Sequence, residues 1–335
     1  MEYRKLGNSG LKVSPICLGT MLFGDATDAA EAGRIVASAR EAGVNFIDTA
    51  DAYAKGESER VTGKLIAADR EHWVLATKVG NIMGKGPNDG GLSRGWMMRA
   101  IDASLARLDT DWVDIYDLHL DDPDTPIEET LVAMSEIIAA GKVRYFGISN
   151  YRAWRIAQIA ELCGKLGVPA PIVCQPYYNA MNRMPETEVL PACQNYGMGV
   201  VTYSPLARGV LTGKYAPGAA PSADSRAGRK DKRMMETEFR EESMLIAQKL
   251  KTRAEERGMS AGQFALNWVL NNRIVTSVLA GPRKFEQWTE YLGALAHGFT
   301  AEDEALVDSM VKSGHPSTPG FNDPRYPVSG RPTYN

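Results

Sequence analysis

Short apolar runs alternate with amphipathic stretches along most of the chain, and the period switches between the two. The runs predict strands at 16–20, 45–49, 73–78, 113–119, 143–149, 172–175, 199–203 and 276–279. Apolar residues at helical spacing predict helices over 28–42, 57–66, 94–108, 126–140, 153–166 and 186–196. A long region, 241–271, follows with a break near Gly258, and two more helices, 285–294 and 301–311, come after the last strand. Residues 1–13 alternate polar and apolar around Asn8-Ser9-Gly10, which suits a short leading hairpin. Local signals agree with these assignments. Pro126, followed by Glu128 and Glu129, fits a helix start, and Gly43, Gly141 and Gly167 stand where helices end.

Strand and helix therefore alternate eight times, which predicts a parallel sheet. Eight units suit a closed (β/α)8 TIM barrel with an N-terminal β-hairpin and extra C-terminal helices, and an open doubly wound sheet competes. An open dinucleotide-binding sheet needs closely spaced glycines after its first strand. Gly19 and Gly24 lack that spacing, and the segment Gly84-Lys85-Gly86-Pro87-Asn88-Asp89 ends in aspartate where a glycine is required. Gly209-Val210-Leu211-Thr212-Gly213-Lys214 is one residue too short for an NTPase phosphate loop, and Tyr215 replaces its hydroxyl residue. The barrel is the better reading.

Composition narrows the function classes. The 335 residues are 44% hydrophobic and 24% charged, ordinary for a globular chain, and suit one barrel domain over 1–335. A net charge of −3 implies no broad attraction to nucleic acid or anionic membranes. No apolar stretch is long enough to span a bilayer, and the first residues lack a secretory core. Cys17, Cys163, Cys174 and Cys193 are widely spaced and read as reduced buried thiols, so a cytoplasmic location is expected. Clustered His/Cys spacing is missing, so no metal is expected.

Barrel chemistry gathers at the C-terminal ends of the strands. Asp48 and Lys78 stand at the tails of the second and third strands, Tyr53 follows Asp48 by five residues, and His119 ends the fourth. Singly, each has a duller reading: a turn acceptor, a core or surface tyrosine, a solvated lysine, a satisfied core histidine. Together they make a proton-transfer unit for carbonyl chemistry. A tyrosine hydroxyl can protonate the alkoxide left by hydride addition, although its usual value of about 10 is high for neutral pH. The Lys78 ammonium would pull that value down, Asp48 would hold the lysine, and His119 would donate to the carbonyl oxygen.

These residues lie in segments that resemble the aldo-keto reductase family: 43–53, 75–78, 114–119, 141–150 and 203–206, within a similarity running to about residue 295. The resemblance implies that Asp48, Tyr53, Lys78 and His119 form a catalytic tetrad acting with NADPH (NADP+) on a small-molecule carbonyl or alcohol. It further implies that Ser149, Asn150 and Gln175 hold the nicotinamide carboxamide and Tyr203 stacks on its ring. Gly19, Thr20, Met21 and Asp48 are expected beside the cofactor, Ser204, Leu206, Gly209 and Lys214 at its pyrophosphate, and Gly281, Arg283, Gln287 and Glu290 at its adenosine end. Arg283, with Lys284, offers a counter-charge to a 2′-phosphate. Some members bind the cofactor as regulatory or accessory subunits with weak turnover, which is the alternative reading.

Two stretches show little periodicity. Residues 204–240 form a long, basic connection, read either as a solvated loop or as a lid over the cofactor. The proline-rich tail 314–335 is expected to be disordered, or else to bring Phe321, Tyr326 and Tyr334 to the substrate pocket. Met21, Phe23, Met83 and Leu120 are further pocket candidates.

Overall fold

A computed structural model describes residues 1–328 and 330, and Tyr334 lies outside the described residues. The chain forms two compact units. The first comprises Met1–Pro176, Glu188–Tyr203 and Asn272–Leu292; the second comprises Tyr177–Thr187, Ser204–Asn271 and the chain from Gly293 onward.

The first unit is a closed barrel of eight parallel strands. In chain order they are β3 (Ile16–Gly19), β4 (Phe46–Asp48), β5 (Val74–Val79), β6 (Val113–Leu118), β7 (Val143–Ser149), β8 (Val173–Gln175), β9 (Gly199–Thr202) and β10 (Val275–Ala280). β10 pairs with β3 and β9, which closes the ring. The expected hairpin precedes it, β1 (Arg4–Lys5) pairing antiparallel with β2 (Lys12–Val13). Leu6 and Val13 of the hairpin join Cys17, Phe46, Val74, Ala76, Ile115, Val173 and Val201 in one buried cluster. The hairpin thus plugs the end where the strands begin, and the opposite rim is left for chemistry. Gly7 shows how tight the plug is: its φ is +55°, and a Cβ there would lie 2.5 Å from the Gly199 nitrogen.

The helices α1 (Ala29–Glu41), α2 (Glu57–Ile66), α3 (Arg94–Leu108), α4 (Ile127–Ala139), α5 (Ala153–Leu166) and α6 (Val189–Asn195) alternate with the strands, and α10 (Phe285–Gly293) follows β10. Their ends carry the chemistry that free helix termini require. Asp28 accepts from the Glu31 N–H at the start of α1, Ser93 accepts from Trp96 at α3, and Gly167 closes α5 in the left-handed conformation at φ +65°.

Within the second unit run α7 (Lys232–Thr237), α8 (Glu241–Glu256), α9 (Ala261–Asn271) and α11 (Ala301–Met310). The break expected in region 241–271 falls at Gly258, φ +69°. Helix α7 departs from the sequence expectation of an irregular loop. It has six residues and is nucleated by Asp231, whose carboxylate accepts from the Met234 N–H. The tail up to residue 328 departs from expected disorder as well. Ser317 N–H donates to the Met181 carbonyl at 2.9 Å, Arg233 grips both carboxylate oxygens of Asp323, and the Arg240 guanidinium lies 3.8 Å from the Phe321 ring centroid. No described helix is long and apolar enough to cross a membrane.

Candidate active site

The four residues singled out at the strand tails come together on the barrel rim. Asp48 ends β4 and is 1% exposed; Lys78 lies in β5 and is completely buried. Tyr53 opens a 3-10 turn, Tyr53–Gly56, whose Ala54 and Lys55 take left-handed backbone, so the turn folds sharply back beside β4. The Lys78 ammonium donates to Asp48 Oδ1 at 2.5 Å, to the Thr49 carbonyl at 2.7 Å and to the Tyr53 hydroxyl at 3.3 Å. All three of its N–H groups are thereby engaged. His119, just past β6, meets Tyr53 edge to face with ring centroids 5.8 Å apart.

Burial sets the proton affinities. On its own, burial would lower the Lys78 ammonium, but Asp48, Tyr53 and Asp117 more than reverse this and hold it above the usual lysine range. The Asp48 carboxyl is raised by burial, with Lys78 and Gln175 acting against the rise. The Tyr53 hydroxyl departs from expectation. Lys78 does pull it down, but burial exceeds that pull, Asp48 and Asp117 add to the rise, and the net displacement is upward.

A second group of polar side chains surrounds the first within the same unit. Gln175 Nε2 donates to Asp48 Oδ2 at 3.0 Å, and Ser149 Oγ donates to the Gln175 carbonyl at 2.9 Å. Asn150, at φ +65°, donates to the His119 carbonyl at 2.9 Å and accepts from the Tyr203 hydroxyl at 2.7 Å. Two amides, a hydroxyl and the half-buried Tyr203 ring suit a carboxamide-bearing heterocycle such as nicotinamide. Thr20 is buried and donates to the Asp48 carbonyl at 3.0 Å, Gly19 ends β3, and Met21 is exposed. At β10, Gln287 Oε1 accepts from the Arg283 and Lys284 N–H groups at 2.8 and 3.2 Å, so it caps α10, which also carries Glu290. Gly281 packs 3.5 Å, measured from a would-be Cβ, from the Gly19 carbonyl.

Ser204, Leu206, Gly209 and Lys214 belong to the second unit. There Ser204, Ala207, Arg208 and Gly209 all have positive φ, and the Lys214 ammonium lies 3.0 Å from where a Gly209 Cβ would stand. Left-handed residues following right-handed ones turn successive N–H groups to one side, a concavity that suits an anion.

Two residues of the rim were not singled out from the sequence. Asn81, three residues past Lys78, donates from Nδ2 to His119 Nδ1 at 2.9 Å. An imidazole that accepts at Nδ1 carries its hydrogen on Nε2, so Asn81 leaves Nε2 as the donor. Asp117, two residues before His119, is a buried acid in the barrel wall whose burial pushes its carboxyl up to about 7. Among the described residues no group of His, Cys, Asp and Glu is arranged to hold a metal ion.

The family model for the aldo/keto reductase family matches residues 15–312. The chain belongs to that family. It is 40% identical over 301 residues to a probable voltage-gated potassium channel subunit beta of Oryza sativa subsp. japonica, covering 88% of this chain and 91% of the relative. It is 35% identical over 324 residues to an L-glyceraldehyde 3-phosphate reductase of Escherichia coli O157:H7, covering 94% and 93%. It is also 35% identical over 331 residues to the uncharacterized oxidoreductase YrpG of Bacillus subtilis (strain 168), covering 95% and 98%. An aldo/keto reductase of this kind is an oxidoreductase on a TIM barrel, and the buried Lys78 with its three acceptors occupies the rim where such barrels carry their chemistry.

Proposed function

We propose that this aldo/keto reductase reversibly reduces an aldehyde or ketone to an alcohol with NADPH, in the cytoplasm, with Tyr53 as the general acid. The observation that carries the reading is the contact chain from Asp48 through the Lys78 ammonium to the Tyr53 hydroxyl, beside the His119 ring. When bound, the nicotinamide would supply the hydride for reduction and accept it in the reverse direction. The protein does the rest. Nε2 of His119 donates to the carbonyl oxygen and polarises it, and the Tyr53 hydroxyl delivers its proton as the alkoxide forms. Lys78 stabilises the phenolate that remains, and in the reverse direction the same phenolate takes the proton of the alcohol. Ser149, Asn150, Gln175 and Tyr203 would orient the nicotinamide ring, with Gly19, Thr20 and Met21 alongside. Ser204, Leu206, Gly209 and Lys214 would take the pyrophosphate, and Gly281, Arg283, Gln287 and Glu290 the adenosine end. The Arg283 guanidinium, with Lys284, favours the 2′-phosphate of NADPH over NADH.

The test is NADPH and NADH oxidation against a panel of aldehydes and ketones. Tyr53→Phe should lose at least ~100-fold in kcat while binding NADPH with near-normal affinity, since it removes the proton-bearing hydroxyl and leaves the ring in place. A fully active Tyr53→Phe protein would overturn the assignment. The 40% identity to a potassium channel subunit favours a second reading, a cofactor-binding accessory subunit with weak turnover. Weak turnover over the whole panel, with co-purification of a partner, would select it.

A further inference from the structure

Lys78 and Asp117 are register partners on the adjacent strands β5 and β6, and Asp117 is in turn the register partner of Gly147 on β7. Side chains at paired positions of neighbouring strands leave the sheet on the same face. Lys78 and Asp117 therefore share the barrel interior. The space for the second carboxyl is provided by the glycine: a Cβ on Gly147 would lie 2.1 Å from Asp117 Oδ1 and 2.4 Å from a methyl of Val173. Asp117 is 2% exposed, and its Oδ1 is buried with no hydrogen-bond partner. An isolated carboxylate so placed is costly, and the nearby charge able to offset it is the Lys78 ammonium.

We propose that Asp117 is a second counter-ion to Lys78 and a positioning residue of the site, whose charge state governs how readily the Tyr53 hydroxyl gives up its proton. This rests on the reading of Tyr53 as the proton donor. Lys78 meets Asp48 from β4 and Tyr53 from the turn after it, and Asp117 feels both Lys78 and Asp48. The thiols of Cys17 on β3 and Cys174 on β8 also face it; burial raises the first, and a hydrogen bond with Cys193, followed by burial, raises the second, so both stay protonated. With Asp117 ionised, one ammonium faces two carboxylates, and the phenolate is disfavoured. With Asp117 neutral, the ammonium has one carboxylate fewer to balance, and the phenolate is favoured. Because burial brings the Asp117 carboxyl to about 7, the change happens at neutral pH. Above it Tyr53 is the better-retained acid for reduction; below it Tyr53 ionises more easily, which helps alcohol oxidation.

The experiment compares wild type with Asp117→Asn and, in case the amide does not fold, Asp117→Ser. Tyrosines labelled with carbon-13 at Cζ are titrated by NMR, with Tyr53→Phe assigning the resonance, and the protonated-carboxyl infrared band is followed over the same range. In wild type the carboxyl absorption that titrates near neutral pH has contributions from Asp117 and Asp51, and both variants lose the Asp117 part while the Asp51 part stays. The Tyr53 resonance titrates lower in both by about one pH unit, the size expected for removing a nearby carboxylate. With NADPH and benzaldehyde, the alkaline limb of the reduction profile moves the same way. Unchanged Tyr53 titration in a folded variant overturns the proposal. If Tyr53 moves but no aldehyde is reduced, the electrostatic coupling stands and the enzymatic reading falls.

Discussion

Asn81 gives His119 its polarity. Its amide donates to Nδ1, which keeps the hydrogen on Nε2, the nitrogen able to reach a carbonyl oxygen. Asn81→Ala should lower kcat/KM by roughly 10-fold, since the imidazole loses the amide that donates to Nδ1. Asn81→Asp should lose more, on the order of 100-fold, because a carboxylate accepts and draws the hydrogen to Nδ1. Steady-state kinetics on any accepted carbonyl measures both, and equal activity in all three proteins would remove Asn81 from the account. Legibility at this scale follows position. Asp48, Lys78 and His119 stand at the tails of apolar strands, where a polar residue calls attention to itself, and Tyr53 comes with them. Asn81 is three residues into a loop, and loops carry no period from which a direction can be read. Asp117 sits in a strand buried at every position, so the alternation that would tell inward from outward is missing until the register with Lys78 and Gly147 is known.

At the level of elements, α2 supports the site from behind. Ser58 donates to the Thr20 carbonyl at 2.7 Å and shares hydrogen bonds with the hydroxyls of Thr20 and Thr49. The fully buried Glu59 accepts from Thr77, next to Lys78, and from Arg107 of α3, each at 2.6 Å. The loop after β3, the turn after β4, and β5 are thus tied to a single helix. Its close approach to the end of α3 depends on Gly63, where a Cβ would lie 2.1 Å from the Leu108 carbonyl oxygen, which is backbone and cannot step aside. Gly63→Ala should destabilise the protein by about 2–4 kcal/mol despite the better helix propensity of alanine. Thermal unfolding by circular dichroism checks this, and an unchanged or higher Tm would show that the two helices are free to separate. Helix boundaries were readable within a few residues because end signals such as Pro126, Gly43, Gly141 and Gly167 are local chemistry. Helix α7 was not. Six residues with two buried side chains, Met234 and Thr237, make too short a period to stand out from a basic loop.

For the whole molecule, eight strand–helix units were countable, and parallel alternation leaves few topologies once the glycine spacing of an open dinucleotide-binding sheet is missing. The internal ties of the second unit were not countable, because pairs such as Arg233 with Asp323 join residues far apart in sequence. The balance of buried acids is another whole-molecule property. Burial pushes both Asp51 and Asp117 up to about 7. Each therefore binds a proton in the folded state at pH values where the unfolded chain has released it. Their contribution to stability is full below the unfolded value of about 4 and is lost as pH rises through about 7. Asp303 has the opposite sign: the folded state holds its carboxyl below its usual value, with Thr300 and Arg253 opposing burial, and its contribution fades on acidification. Asp117→Asn should raise Tm over wild type by about 5 °C at pH 8 and by clearly less at pH 5, where only part of the difference in proton binding between the folded and unfolded chains has developed. Scanning calorimetry at the two pH values is the measurement; an equal gain at both would assign the effect to packing.

The sealed position of Lys78 has a chemical consequence of its own. An amine with no exposed surface and three acceptors around it offers neither a lone pair nor an approach to acylating reagents, whereas a surface lysine such as Lys232 offers the approach freely. Acetylation of this position must wait for the wall to come apart. Residue 78 is thus a built-in clock for barrel opening, and its covalent labelling records how often the ring of strands breaks.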